Sequence, residues 1–188
     1  MKLFQKILAG VGIVTLATAA GFPYVKAHVD SLPKQLTKEQ AAERYLKIAC
    51  PLNKIQDYRT SLRNKLNKEM NMRYDAGSDE LALANNRVGE LEVRIRIVDR
   101  ESFKVRERDS KAYRDPKYIW PVEIQDEIKL LSETQFRLAG TISKAYEENR
   151  PLNKAEKVNV DKDFSDQVKA VSNVRLELNL PVAGKGCK

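Results

Sequence analysis

The chain has 188 residues with 32% charged residues and eight glycines, a composition that favours one domain of helices with solvated faces over a β-sandwich. Its formal net charge of +8 is moderately basic and favours contact with anionic surfaces. The single histidine, His28, excludes a Ser–His or Cys–His pair in the predicted folded region, together with the histidine motifs of zinc proteases and di-iron proteins.

The N-terminal residues have the three-part layout of a secretory signal. A short basic start, Met1–Lys6, precedes an uncharged run that ends at Phe22 and contains an A-x-A pattern ending at Ala19. We predict a signal peptide over residues 1–19, with cleavage after Ala27 as a second option. The alternative is an uncleaved anchor, although the run is about 16 residues and a spanning helix needs about 20. The predicted location is therefore extracytoplasmic, either secreted or associated with the cell envelope.

Residues 20–36 are predicted to be a linker, and residues 37–181 a helical bundle. Thr37 and Gln40 form a capping-box pattern at the start of the first helix. Pro51 lies inside this helical pattern and predicts either a kink or a restart of the helix. The apolar stripe of this helix consists of Ala41, Tyr45, Ile48, Leu52, Ile55, Leu62 and Leu66.

The second helix is predicted to begin after the break at Gly77, with Ser78 as its cap. Its apolar positions alternate in steps of three and four residues, which is a heptad seam that also suits a dimer. These positions are Leu81, Ala84, Val88, Leu91, Ile95, Val98, Ser102 and Val105. Only Ser102 is unusual for such a seam.

Pro121 is predicted to be the first residue of the third helix, and a polar segment at residues 153–163 to precede a shorter fourth helix. The third stripe is Ile124, Ile128, Leu131, Gln135, Leu138, Ile142 and Ala145. The fourth is Phe164, Val168, Val171, Val174 and Leu178, and it ends before Pro181. Three long helices and one shorter C-terminal helix predict an all-α antiparallel bundle.

Two cysteines in an exported chain favour a disulfide between Cys50 and Cys187. Such a bond would tether the tail, residues 182–188, to the bundle. The alternative is a buried Cys50 and a free thiol in the tail.

A basic strip on the second helix is the strongest candidate for a binding surface. Its members, Arg96, Arg100, Lys104 and Arg108, recur every four residues and so share one helical face. Arg94, Arg106, Lys111 and Arg114 flank the strip. Candidate partners are an anionic envelope component or another protein, and nucleic acid is not expected for an exported chain. The alternative is a solvated face in which ion pairs satisfy the charges.

Trp120, the only tryptophan, is the second candidate. It is interpreted either as an exposed aromatic anchor for a partner or as a plug at the end of the bundle. We predict no catalytic residue, no metal site and no cofactor.

Two short segments resemble known families. Ala41–Leu46 followed by Cys50-Pro51-Leu52-Asn53 resembles a pattern in small exported actinobacterial proteins, which implies an exported helical protein in a Gram-positive envelope and no activity. Leu36–Gln40 matches the L-T-x-x-Q motif of the Spy and CpxP extracytoplasmic stress chaperones, which implies a small helical holdase. The nearest second copy of that motif, Leu131–Gln135, departs from it at Ser132.

The sequence therefore predicts an exported, non-catalytic protein of the cell envelope that binds or scaffolds through its helical surface. The alternative function is an extracytoplasmic holdase for unfolded clients. The sequence leaves the partner and the oligomeric state open.

Overall fold

The computed structural model describes residues 32–75, 77–181 and 187. The predicted signal peptide, both predicted cleavage positions and His28 lie outside these residues, as does the predicted tail apart from Cys187. The chain divides into two compact units, one formed by Leu36–Asp115 with Trp120–Lys188, and the other by Pro116–Ile119 with the chain up to Gln35.

The larger unit is an all-α antiparallel bundle, as predicted. Its helices are α1 (Lys38–Asp75), α2 (Ser78–Tyr113), α3 (Gln125–Glu147) and α4 (Lys154–Glu177), and a 3₁₀ turn at Val122–Ile124 leads into α3. Helix α1 packs on α2, α2 on α3, and α3 on α4. Each of these pairs buries the apolar seams of its two helices against one another.

The helices come in two lengths. Helices α1 and α2 have 38 and 36 residues, whereas α3 and α4 have 23 and 24, so the predicted ratio of three long helices to one short helix is wrong. Tyr146, near the end of α3, donates a hydrogen bond to the Arg96 carbonyl at 3.3 Å. The first half of α2 therefore continues past α3, and it remains attached to α1 through contacts such as the ion pair of Arg87 with Glu69 at 3.0 Å.

The smaller unit contains a two-stranded parallel sheet. Strand β1 (Lys34–Gln35) pairs with β2 (Tyr118–Ile119), and the Lys34 N–H donates to the Lys117 carbonyl at 2.8 Å. The sequence predicted only a linker over residues 20–36, because two-residue strands give no periodic signal.

The capping box at the start of α1 is confirmed. The Gln40 N–H donates to Thr37 Oγ1 at 3.3 Å, and the Thr37 N–H donates to Gln40 Oε1 at 3.4 Å. The restart predicted at Pro51 is wrong, because α1 continues through this residue without a break.

The predicted starts of α2 and α3 are each displaced by one residue or more. Gly77, in an extended conformation, occupies the cap position of α2, and Ser78 is already helical. Pro121 is not the first residue of the third helix, since it precedes the 3₁₀ turn and has an extended ψ of 140°.

Helix α4 begins ten residues before its predicted apolar stripe. The prediction that the polar residues 153–163 precede this helix is therefore wrong, because all but the first of them are helical. Asn153 caps the helix in a box with Glu156, in which both hydrogen bonds are 2.9 Å long. This box satisfies backbone N–H groups that a helix start otherwise leaves unpaired.

The buried seams confirm the predicted stripes of α1 and α3 and that of α2 from Ala84 onward, whereas Leu81, the first residue of the predicted α2 stripe, is 38% exposed. Ser102 and Gln135 are both buried, as their positions in the stripes require.

The predicted stripe of α4 needs a larger correction. In α4 the predicted stripe is wrong in its first half, because Phe164 and Val168 are 37% and 64% exposed. The seam of α4 instead contains Val160, Asp163, Gln167, Ala170, Val174 and Leu178.

The disulfide between Cys50 and Cys187 is confirmed, with a Cα–Cα distance of 5.3 Å and a sequence separation of 137 residues. It joins the chain beyond α4 to the first helix, so it closes nearly the whole bundle into one covalent loop. In the chain-entropy model, a loop of this size stabilises the folded state by about 5 kcal/mol.

Replacement of both cysteines by serine should lower the free energy of unfolding by about 3–5 kcal/mol, because the unfolded chain regains the entropy of the open loop. Urea denaturation of the oxidised protein and of C50S/C187S measures this difference. Reductant should destabilise the wild type equally and leave the double variant unchanged. A loss below about 1 kcal/mol would contradict the closed-loop account.

Asn153→Ala should lower the free energy of unfolding by about 1 kcal/mol, because it removes the side-chain acceptor at the start of α4. Urea denaturation measures the change, and Asn159→Ala, on an exposed part of the same helix, is the control. Equal stability of the two variants would show that the box does not support α4.

Candidate functional site

All four members of the predicted basic strip lie on α2, and all four side chains are exposed. Lys104 forms an ion pair with Glu101 at 2.8 Å. Within the described part of the chain, neither Arg96 nor Arg100 takes part in an ion pair. The solvated-face alternative therefore fits Lys104 better than it fits these two arginines.

Arg108 differs from the other members because it pairs with a buried carboxylate. Its Nε and Nη2 atoms donate to Asp109 Oδ1 at 3.0 and 2.7 Å, and Asp109 is 0% exposed. Burial raises the pKa of the Asp109 carboxyl, while the hydrogen bonds from Arg108 and the charges of Arg108 and Arg106 oppose this rise. Arg108 is therefore committed to the bundle. We call Arg96, Arg100 and Lys104 the available strip, in which Lys104 is paired, among the described residues, only with the exposed Glu101.

Arg106 was predicted to flank the strip, but it lies in the core and is 4% exposed. Its Nη1 donates to Gln167 Oε1 at 3.1 Å, and its guanidinium lies 5.3 Å from the centre of the Phe164 ring. Burial, and to a lesser extent repulsion from Arg59, lowers the pKa of Arg106 to about 10. The side chain thus stays charged near neutral pH and needs its polar partners.

A groove of about 480 Å³ runs between α2 and α3 beside the strip, and we call it the cationic groove. Its lining includes Arg100, Lys104, Phe103, Phe136, Tyr146 and Gly140. The rings of Phe103 and Tyr146 meet edge to face at 6.1 Å, and the Arg100 guanidinium lies 5.9 Å from the centre of the Tyr146 ring. Phe136 is 56% exposed, so the groove combines an accessible apolar wall with two cations, Arg100 and Lys104, and two carboxylates, Glu107 and Glu147.

Acidic residues in the cationic groove already have polar partners. Glu107 accepts from Lys111 at 2.7 Å, and Glu147 accepts from the Ser143 hydroxyl at 3.3 Å. Such a groove can hold an anionic group beside Arg100 and an apolar group against Phe136.

Trp120 is not an exposed anchor for a partner, since only 6% of it is exposed. Its indole N–H donates to the Tyr113 carbonyl at 3.0 Å, and the two rings lie 6.2 Å apart. The burial of Trp120 against Tyr113, the last residue of α2, favours the plug interpretation. The hydrogen bond satisfies the buried polar atom of the indole.

Among the residues that the structure describes, no three or more side chains of His, Cys, Asp or Glu form a group that could hold a metal ion, and no helix is long and apolar enough to cross a membrane. Comparisons with protein-family models, curated proteins and solved structures gave no match.

Sequence reasoning missed the buried charges of α2. Arg106 and Asp109 fall at the spacing of the heptad seam, continuing the steps of three and four that pass through Ser102. That spacing was the available signal, but their charge favoured a solvent-exposed interpretation.

Asp109→Asn should change the pH dependence of stability, because it removes a carboxyl whose pKa is raised in the folded protein. The raised pKa means that the folded protein keeps this proton to higher pH than the unfolded chain does. Stability attributable to Asp109 is therefore lost as pH rises from about the ordinary value of 3.8 through the folded pKa. The stability of D109N relative to wild type should increase between pH 3 and 7.

Urea denaturation at pH 3, 5 and 7 measures this difference. Asp161→Asn, which removes a carboxylate from the exposed surface of α4, is the matched control. Parallel stability curves for wild type and D109N would contradict a raised pKa at Asp109.

Proposed function

We propose that this protein is an exported, non-catalytic component of the cell envelope that binds an anionic partner through the available strip and the cationic groove. One observation carries the proposal. Arg96 and Arg100 are exposed and outside any ion pair among the described residues, one turn apart, and Arg100 also lines an open groove.

The disulfide supports the exported location. Bonds of this kind form and persist in oxidising compartments and are rare in the cytosol of mesophiles. Cys50 and Cys187 are 137 residues apart in sequence, so their pairing adds stability that suits a protein outside the cell.

Charge arrangement supports an anionic partner. Successive members of the strip are separated by four residues, about 6 Å along the helix, which is within one Debye length at physiological ionic strength. Their potentials therefore add at the surface, and binding that depends on them should weaken as salt increases. Wall polymers and lipid headgroups both present anions at such surfaces.

A holdase is the second candidate, and the hairpin of α1 and α2 favours it. The part of this hairpin beyond α3 carries exposed apolar side chains, which include Met70, Met72, Leu83 and Val93 at 38%, 39%, 63% and 56% exposure. Flexible methionines suit the binding of varied apolar clients.

Charge reversal of the available strip, R96E/R100E/K104E, should reduce association with isolated walls and with anionic vesicles at least tenfold. Reversal of these charges replaces attraction by repulsion at the proposed surface. Co-sedimentation at 50 and 200 mM salt provides the measurement. The variant leaves Arg108 in place, so the ion pair with Asp109 is kept.

The matched control is K154E/K157E/K169E on exposed positions of α4. Three reversals change the formal charge by six, so each triple variant falls from +8 to +2. Equal loss in both variants would mean that only net charge matters and would contradict a specific strip. Salt-insensitive association, combined with near-stoichiometric suppression of aggregation of an unfolded protein, would favour the holdase instead.

A further inference from the structure

A second cavity, of about 240 Å³, opens between α1 and α4, and we call it the seam cavity. Residues from all four helices line it, among them Tyr45 of α1, Tyr113 of α2, Gln135 of α3 and Arg175 of α4. It shares Gln135 and Tyr113 with the bundle core and has no lining residue in common with the cationic groove.

The seam cavity is lined in part by a buried amide side chain, that of Gln135. Gln135 is 3% exposed, and its buried Oε1 has no hydrogen-bond partner among the described residues. The neighbouring amide of Gln167 differs, because its Oε1 already accepts from Arg106. An unpaired buried acceptor is unfavourable, so a donor that reaches Gln135 gains a full hydrogen bond in a sheltered site.

The positive charges of the arginines in and next to the seam cavity disfavour a cationic ligand. Arg175 is 3% exposed and donates through Nε to the Pro181 carbonyl at 2.6 Å, while Arg106 lies behind Gln167. Burial raises the pKa of Tyr45 and that of Tyr113, so both phenols are neutral near pH 7. The guanidinium groups disfavour a cation, and the neutral aromatic walls favour an uncharged ring over a charged ligand that would lose its hydration.

The mouth of the seam cavity is apolar and open to solvent. Val168 and Phe164 are 64% and 37% exposed and line the α4 side. On the α1 side Asn53 donates to Cys187 Sγ at 3.6 Å, so the disulfide lies next to the mouth. These exposed apolar side chains, which the helix seam does not use, give an apolar ligand a route to the acceptor.

We propose that the seam cavity binds a small neutral aromatic molecule whose single hydroxyl or N–H group donates to Gln135 Oε1. The size of the cavity suits one ring, its tyrosine and phenylalanine side chains suit ring packing, and its acceptor selects a donor. This proposal is independent of the anion-binding surface on α2.

Phenol and toluene test the proposal, because they have nearly the same shape and differ in the donor. The full chain with its disulfide intact is titrated with each compound, and chemical shifts of residues lining the cavity are followed by NMR. Phenol should give saturable shifts with a dissociation constant of about 10 mM or lower, as expected for a ligand of seven heavy atoms.

Gln135→Leu keeps the side-chain volume similar and removes the acceptor. It should weaken phenol binding about fivefold to tenfold, the effect of one net hydrogen bond, and should leave toluene binding unchanged or stronger. An absence of saturable phenol shifts in wild type would overturn the proposal. So would an unchanged ratio of phenol to toluene affinity in Q135L.

A variant at the mouth tests the site without disturbing the core. Val168→Trp should obstruct entry and abolish the shifts from both compounds, whereas Val158→Trp, at a similarly exposed position of α4, should not. Equal binding by wild type, V168W and V158W would place the ligand elsewhere and overturn the proposal, even if Q135L fails to fold.

Discussion

Pairing with the buried carboxylate of Asp109 determines which basic residues of α2 remain available at its surface. A charge removed from water is expensive unless it is paired and hydrogen-bonded. Arg108 supplies both hydrogen bonds to Oδ1, and the Arg106 charge also favours the ionised carboxylate. The two arginines lie on different sides of the helix: Arg108 is exposed, and Arg106 is in the core. Helix α2 therefore cannot be treated as an amphipathic rod with one apolar and one basic face.

This arrangement shapes both proposed binding sites. Because Arg108 forms an ion pair with Asp109, the proposed anion-binding surface is the available strip, Arg96, Arg100 and Lys104, beside the cationic groove. On the inner side, Arg106 donates to Gln167 Oε1, whereas the buried Oε1 of Gln135 has no hydrogen-bond partner among the described residues. The outer surface and the inner cavity thus differ in chemistry: the first offers positive charge, and the second offers a neutral acceptor among aromatic rings.

Apolar spacing was sufficient to predict the fold class, the seams of three helices and the burial of Gln135. Two cysteines in a chain with a predicted export signal were sufficient to predict the disulfide. The spacing of apolar residues did not predict the seam of α4, because two of its buried positions hold the polar residues Asp163 and Gln167. The sequence does contain the signal for the start of α4, Asn153 followed three residues later by Glu156. The heptad spacing places Arg106 and Asp109 on the seam of α2, but their charge favoured an exposed position, and the contact of Arg106 with Gln167 of α4 is not visible in any local pattern.

The central claim is that Asp109 is a desolvated carboxylate paired with Arg108, and its own titration tests this most directly. Carbon-13 NMR of the side-chain carboxyl, followed through acid pH in the folded protein, reports that single group. The account predicts a midpoint above the ordinary value of 3.8, because desolvation outweighs the hydrogen bonds from Arg108. A midpoint at or below 3.8 would show that burial does not raise the pKa of Asp109, either because water reaches the carboxyl or because Arg108 outweighs desolvation. That result would contradict a desolvated carboxylate.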